Sequence, residues 1–154
     1  MNGWHAGGAV RRRTGRLLIG TLLVVGALVG CGGSPAVPAA SPSALAGVGT
    51  VTTAPDGVQE VTIQTQDDYV FTPDHFTVKP GRVRLTVVNA ATQLTHNFRF
   101  TPRKGPEEIP EGIELLAPGD RKTIDFTVQK PGKYPFECSF HAQLGQTGVM
   151  TVSG

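Results

Sequence analysis

Between residues 58 and 154 the chain alternates apolar and polar positions with a period of two. Val61 and Ile63 alternate with Thr62 and Gln64, and Val83, Leu85 and Val87 with Arg84 and Thr86. Ile124, Phe126 and Val128 alternate with Asp125 and Thr127. Phe76 and Val78, Phe98 and Phe100 either side of Arg99, Tyr134 and Phe136, and Gly148, Met150 and Val152 continue the pattern. Successive side chains of a strand point to opposite faces, so each run predicts a strand with one face in a core. Lys79-Pro80-Gly81, Ala117-Pro118-Gly119-Asp120 and Lys130-Pro131-Gly132 supply the turns between them. No stretch carries the period of a long amphipathic helix. About seven short strands joined by Pro/Gly turns predict an all-β fold, an antiparallel Greek-key β-sandwich, with residues 102–116 as a long connection.

The region before residue 58 is of another kind. Arg11, Arg12, Arg13 and Arg16 precede an apolar run from Leu17 to Gly30. A bilayer-spanning helix needs about 20 apolar residues, so this shorter run is read as the apolar part of an export signal over residues 1–30. It ends Leu28-Val29-Gly30-Cys31, which resembles the lipobox of bacterial lipoproteins. That resemblance implies cleavage before Cys31, lipid on its thiol, and anchorage to the outer face of the cytoplasmic membrane. Arg12-Arg13 loosely resembles a twin-arginine signal, although Gly15 stands where an apolar residue is usual. Residues 31–57 are rich in Gly, Ala, Ser, Pro and Thr and are read as the lipidated cysteine and a flexible tether, because they bury too little apolar surface to offset chain entropy. Residues 58–154 form one domain, large enough for a single core.

The leader also sets the sign of the charge. The whole chain is formally +2, but four of its 14 Lys and Arg lie in the leader and all 12 Asp and Glu lie after it. The exported part is therefore about −2, and nothing in it offers the clustered basic face that nucleic acid requires.

The chain has two cysteines. With Cys31 lipidated, Cys138 has no disulfide partner in an oxidising compartment, which favours burial or a metal role. Cys138 stands three residues before His141 in the turn ahead of the last strand, and His96 opens a strand about 40 residues earlier. Loops remote in sequence meet at one end of a Greek-key sandwich, so one thiol and two imidazoles can converge there. Such a set suits copper in an electron-transfer geometry completed by a weak axial ligand. Cys-x-x-His alone is more often a structural thiol near a histidine than a metal site. His5 lies in the leader, and His75 between Asp74 and Phe76 reads as a surface residue.

Three stretches carry a family resemblance: Tyr69-Val-Phe-Thr-Pro73 with Phe76-Thr-Val-Lys-Pro-Gly81; Val87-Val-Asn89 with Thr95-His-Asn-Phe98; and Gly132 to His141 with Gly148-Val-Met-Thr-Val152. Together they resemble the cupredoxins, the blue-copper proteins related to plastocyanin. The resemblance implies one mononuclear type 1 copper site with His96, Cys138 and His141 as strong ligands, and Asn97 tying the two ligand loops together by hydrogen bonds. Two departures stand out. The plastocyanin-like axial methionine position is Gln146 and the shorter, amicyanin-like one is Leu144. Gln146 resembles stellacyanin and implies an amide oxygen as axial ligand, the alternative being a three-coordinate site with Gln146 toward solvent; the only methionine after Met1 is Met150, in strand register. Glu137 replaces the exposed tyrosine beside the ligand cysteine, which leaves the edge of His141 as the electron route, framed by Phe140, Ala142 and Leu144.

The expected protein is a monomeric, lipid-anchored one-electron carrier that meets a redox partner near His141, and not an enzyme. The paired His-x-His ligands of multicopper oxidases do not occur, nor does a second loop cysteine for a binuclear site. Two other functions use the same fold: a copper-handling accessory for delivery or uptake, and a metal-free interaction module. The tether has no methionine-rich or histidine-rich arm for the first, and the intact His96, Cys138 and His141 count against the second.

Overall fold

The structure is a computed structural model that describes residues 45–154; the leader, Cys31 and the first part of the tether lie outside the described residues. In chain order the strands are β1 (Thr52–Thr53), β2 (Gln59–Thr65), β3 (Phe71–Thr72), β4 (His75–Val78), β5 (Gly81–Asn89), β6 (His96–Phe100), β7 (Gly112–Leu116), β8 (Arg121–Val128), β9 (Gly132–Glu137) and β10 (Thr147–Val152). A 3-10 turn, Ala142–Leu144, lies between the last two.

They form two sheets, one ordered β1-β2-β5-β8 with β3 also on β2, the other β4-β10-β9-β6-β7. The expected β-sandwich is present, but both sheets are mixed rather than purely antiparallel. β2 runs parallel to β5, with Val61 opposite Leu85, and β4 runs parallel to β10, with Phe76 opposite Met150. Alternation tells which face of a strand is buried, not the direction of its neighbour. Parallel partners need a crossover; here the chain leaves the first sheet after β3, adds β4 to the second, and returns as β5.

Two further differences come from elements too short or too polar to alternate visibly. Thr52–Thr53, placed by composition in the tether, pair with Gln59 and Glu60 as β1, and the Gly49 N–H donates to the Thr62 carbonyl. Gly112–Leu116, placed in the long connection, is the edge strand β7; only Ile113 and Leu116 of its five residues face inward.

The alternating residues fill the space between the sheets. Ile63, Leu85, Val87, Val128, Phe136 and Met150 are fully buried. Phe71 and Phe98 pack on Phe136, with ring centroids 5.4 and 5.2 Å away. Gly148 meets this cluster where β10 passes over the Phe136 ring and the Asp74 carbonyl. A Cβ there would overlap both, so the position requires glycine for close approach.

At one end of the sandwich the β2–β3 and β5–β6 loops are tied by a single carboxylate. Asp67 accepts from the Thr92 N–H and hydroxyl (both 2.8 Å), the Gln93 N–H (3.1 Å) and the Leu94 N–H (3.0 Å). The bonds from Thr92 lead in holding its carboxyl at about 2, below the ordinary 3.8. Asn89, fully buried, fixes the other side of the same loop through the Leu94 and Leu116 carbonyls and the Ala91 N–H.

Two outcomes are expected. Gly148→Ala should lower stability by about 1–3 kcal/mol or more, as overpacking of a close-packed core does, read from the midpoint of denaturant unfolding against the parent protein. For Asp67, a carboxyl depressed on folding stabilises the fold above its unfolded value and loses that contribution as pH falls through the folded one. The parent should therefore lose stability between about pH 4 and pH 2 more steeply than Asp67→Asn, in thermal melts followed at stepped pH; equal slopes would remove Asp67 from the acid limb.

Candidate metal centre

β6 and β9 are antiparallel neighbours, with Arg99 opposite Glu137, so the start of β6 lies beside the end of β9. That brings His96 and Asn97 against Cys138. From Cys138 the chain turns on itself: the His141 N–H donates to the Cys138 carbonyl at 3.0 Å, and the Cys138 N–H donates to the Gln146 carbonyl at 3.1 Å. The 3-10 turn ends at Gly145, whose φ of 94° is left-handed and favours glycine. This reversal turns the Gln146 side chain inward. Cys138, His96 and Gln146 are fully buried, whereas His141 is half-buried.

The ligand atoms of His96, Cys138 and His141 all lie within 4.8 Å of one another. The sulfur is 3.9 Å from His96 Nδ1 and 3.5 Å from His141 Nδ1. Gln146 Oε1 is 2.9 Å from His96 Nδ1 and 3.1 Å from His141 Nδ1. These four atoms converge on one spot. With metal–nitrogen and metal–sulfur bonds of about 2.0 and 2.3 Å, as in zinc sites, two donors at tetrahedral to trigonal angles stand roughly 3.5–3.7 Å apart. The observed sulfur–nitrogen separations bracket that spacing.

The proton positions agree with this fit. His96 Nε2 lies 2.9 Å from the Gln66 carbonyl, which only accepts, so that nitrogen carries the proton. Burial, first, and the neighbouring His141 lower the pKa of His96, against the opposing bonds to Gln146 and Gln66. A neutral ring then presents a bare lone pair at Nδ1, directly opposite the lone pairs of Gln146 Oε1. Lone pairs face one another at 2.9 Å comfortably only around a shared cation or proton. A thiol, two imidazoles and an amide oxygen form a donor set that fits copper.

The surroundings hold the donors from outside. The Asn97 N–H points at the Cys138 sulfur at 3.4 Å. The Asn97 side chain clasps Ser139, accepting from its N–H at 2.7 Å and donating to its hydroxyl at 2.6 Å. This is the inter-loop tie that the resemblance implies. Three supports were not singled out by sequence pattern, and all lie on the end of β2 and the loop after it. Thr65 accepts from Gln146 Nε2, the Gln66 carbonyl accepts from His96 Nε2, and the Tyr69 ring lies 4.9 Å from that of His141. Tyr69 reaches it from a left-handed backbone (φ 57°), a conformation rare for a bulky residue. The available signal was the break in β2's alternation: Gln64, Thr65 and Gln66 are all buried, and an apolar-versus-polar reading places two of them outside.

The remaining candidates stand apart. His75 is exposed and pairs with Asp74 at 2.9 Å. Met150 is fully buried in the core, and Leu144 is 61% exposed, so neither faces the donors. Glu137 is held by Arg99 Nε at 2.9 Å and by the Thr101 hydroxyl.

Comparison with known proteins agrees with this geometry. A cupredoxin-like domain matches residues 40–152. The chain is 32% identical over 149 residues to a chloroplastic plastocyanin of Oryza sativa subsp. indica, covering 90% of this chain and 88% of that one. It is 33% identical over 91 residues to plastocyanin A/B of Petroselinum crispum, covering 54% and 88% respectively. Among solved structures it resembles dithionite-reduced auracyanin from Roseiflexus castenholzii, with a TM-score of 0.53, 26% identity, and coverage of 62% of this chain and 97% of that one. With the family profile spanning most of its length and a plastocyanin matched nearly end to end, the chain belongs to the cupredoxin family.

Proposed function

We propose that this protein is a copper-binding one-electron carrier, lipid-anchored through Cys31 on the outer face of the cytoplasmic membrane. The observation that carries the reading is the convergence of His96 Nδ1, Cys138 Sγ, His141 Nδ1 and Gln146 Oε1 on one buried spot. His96, Cys138 and His141 would hold the metal strongly, with Gln146 as axial ligand. Copper bound there supplies a one-electron Cu(II)/Cu(I) couple. The chain's own part is to keep the donors in place through a change of charge. Asn97 fixes the cysteine loop, the Gln66 carbonyl fixes the tautomer and plane of His96, and the tie between Cys138 and Gln146 closes the turn. Outer hydrogen bonds of this type orient ligands and tune the metal. The Gln146 amide oxygen is a harder donor than a thioether and favours the oxidised ion, hence a low potential.

His141 is the ligand nearest solvent. Around it Phe140 is 52% and Leu144 61% exposed. This small apolar surface suits brief docking of a redox partner, and the imidazole is the shortest way from it to the donors. The protein works as a monomer and catalyses no reaction of its own.

Addition of one equivalent of Cu(II) to the purified copper-free protein should produce an intense visible thiolate-to-copper band that Cys138→Ser lacks. A folded protein with reduced Cys138 and no band would sink the carrier reading. For the anchor, Cys31→Ser should move the protein from the membrane pellet to the soluble fraction of cells expressing the full chain; retention in the pellet would remove the lipid from the proposal.

A further inference from the structure

The two ends of the Gln146 amide have different company. Oε1 faces His96 and His141, while Nε2 faces away and donates to the Thr65 hydroxyl at 2.5 Å. Both Gln146 and Thr65 are fully buried, so no solvent stands in for either partner. Only the oxygen end of an amide offers lone pairs to a cation; the NH2 end offers none. Yet the neutral Nδ1 of His96, and that of His141 when its proton is on Nε2, would take hydrogen bonds from an inward NH2. Two orientations therefore compete. The Thr65 hydroxyl can accept from an outward NH2 or donate to an outward oxygen, so a cation among the donors decides between them, and Thr65 keeps the outward NH2 of the oxygen-inward form satisfied.

An outward NH2 needs an acceptor. Among the described residues Thr65 Oγ1 is the acceptor the structure gives it. Without it, an inward oxygen would leave a buried NH2 unsatisfied, the expensive case for a polar group. Thr65 is itself anchored. It ends β2 opposite Asn89, and its carbonyl accepts the Ala90 N–H at 2.8 Å. Valine is the residue that strand position and burial would otherwise favour, and it has the same shape without the hydroxyl.

We infer that Thr65 is a positioning residue that, by accepting from Gln146 Nε2, holds the Gln146 oxygen toward His96, Cys138 and His141 as a donor of fixed orientation. This rests on the reading of Gln146 as axial ligand given above. Losing the hydroxyl should weaken the axial donor without touching any ligand, and so favour Cu(I).

The test compares Thr65→Val, Thr65→Ser, Gln146→Val and the Thr65→Val/Gln146→Val pair in the copper-loaded full chain. The readouts are the midpoint potential and the Cu(II) hyperfine splitting in electron paramagnetic resonance, with Thr65→Ala as a second hydroxyl-free variant should valine fold poorly. Gln146→Val should raise the Cu(I)/Cu(II) ratio at a fixed potential at least tenfold, a shift of about 59 mV for one electron. Thr65→Val should move the ratio in the same direction by roughly threefold or more, with a matching change in splitting. Thr65→Ser should return both to the parent values, and the double variant should equal Gln146→Val alone. If Gln146→Val moves the potential but Thr65→Val does not, or serine fails to restore it, the role of Thr65 is overturned and the axial reading stands. If Gln146→Val itself changes nothing, the axial reading fails and the role of Thr65 falls with it.

Discussion

Four electron-pair donors crowded into one buried spot set the central constraint on this molecule. His96, with its proton on Nε2, turns a bare Nδ1 to the Gln146 oxygen at 2.9 Å, and two acceptors gain nothing from facing each other without a cation between them. The fold must therefore hold each donor from behind. That demand explains why the polar groups at this end are so fully engaged: no buried side-chain nitrogen or oxygen among the described residues lacks a partner. A pocket assembled this way has its ordering cost met during folding, so a cation arriving there displaces little and reorganises less.

The holding is concentrated in a short strip of chain. Thr65 ends β2, and Gln66, Asp67 and Tyr69 lie in the loop that follows; they reach Gln146, His96, the loop before His96, and His141 respectively. Because β2 is paired in parallel with β5 along its whole length, Gln59 to Thr65, this strip starts from seven residues of ladder. The mixed topology thus bears on the site directly. A β2 at the free edge of a purely antiparallel sheet would present the same residues with less restraint.

The sequence made some of this legible and concealed the rest for physical reasons. Alternation located the strands that bury Val61, Ile63, Leu85 and Phe136, because a half-buried strand writes its inward face every second residue. It could not show that β2 and β5 are parallel, since strand direction leaves no mark on side-chain period. It missed β7, where an edge strand exposes Glu114 and Leu115 together, and β1, whose two threonines are both exposed. At the site, the family resemblance pointed to His96, Asn97, Cys138, His141 and Gln146, which the structure brings together. The supports on β2 and the loop after it carried no such mark. Thr65 and Gln66 are ordinary polar residues whose burial depends on partners 81 and 30 positions away in the chain.

With Gln146 proposed as the axial donor, an amide suits the position better than a charged donor would. A carboxylate there would add a full negative charge to a fully buried spot beside Cys138, whose sulfur would bind a metal as thiolate, and burial of like charges close together is strongly unfavourable. Glutamine supplies an oxygen without the charge, but it brings an NH2 that must be satisfied, and a core position rarely offers a spare acceptor. The chain meets both conditions by ending β2 in a threonine rather than the β-branched aliphatic residue of equal shape. The identity of residue 65 and the identity of residue 146 are then one choice: exchanging glutamine for a thioether would leave the threonine hydroxyl without its donor, so the two positions should change together if the site is retuned.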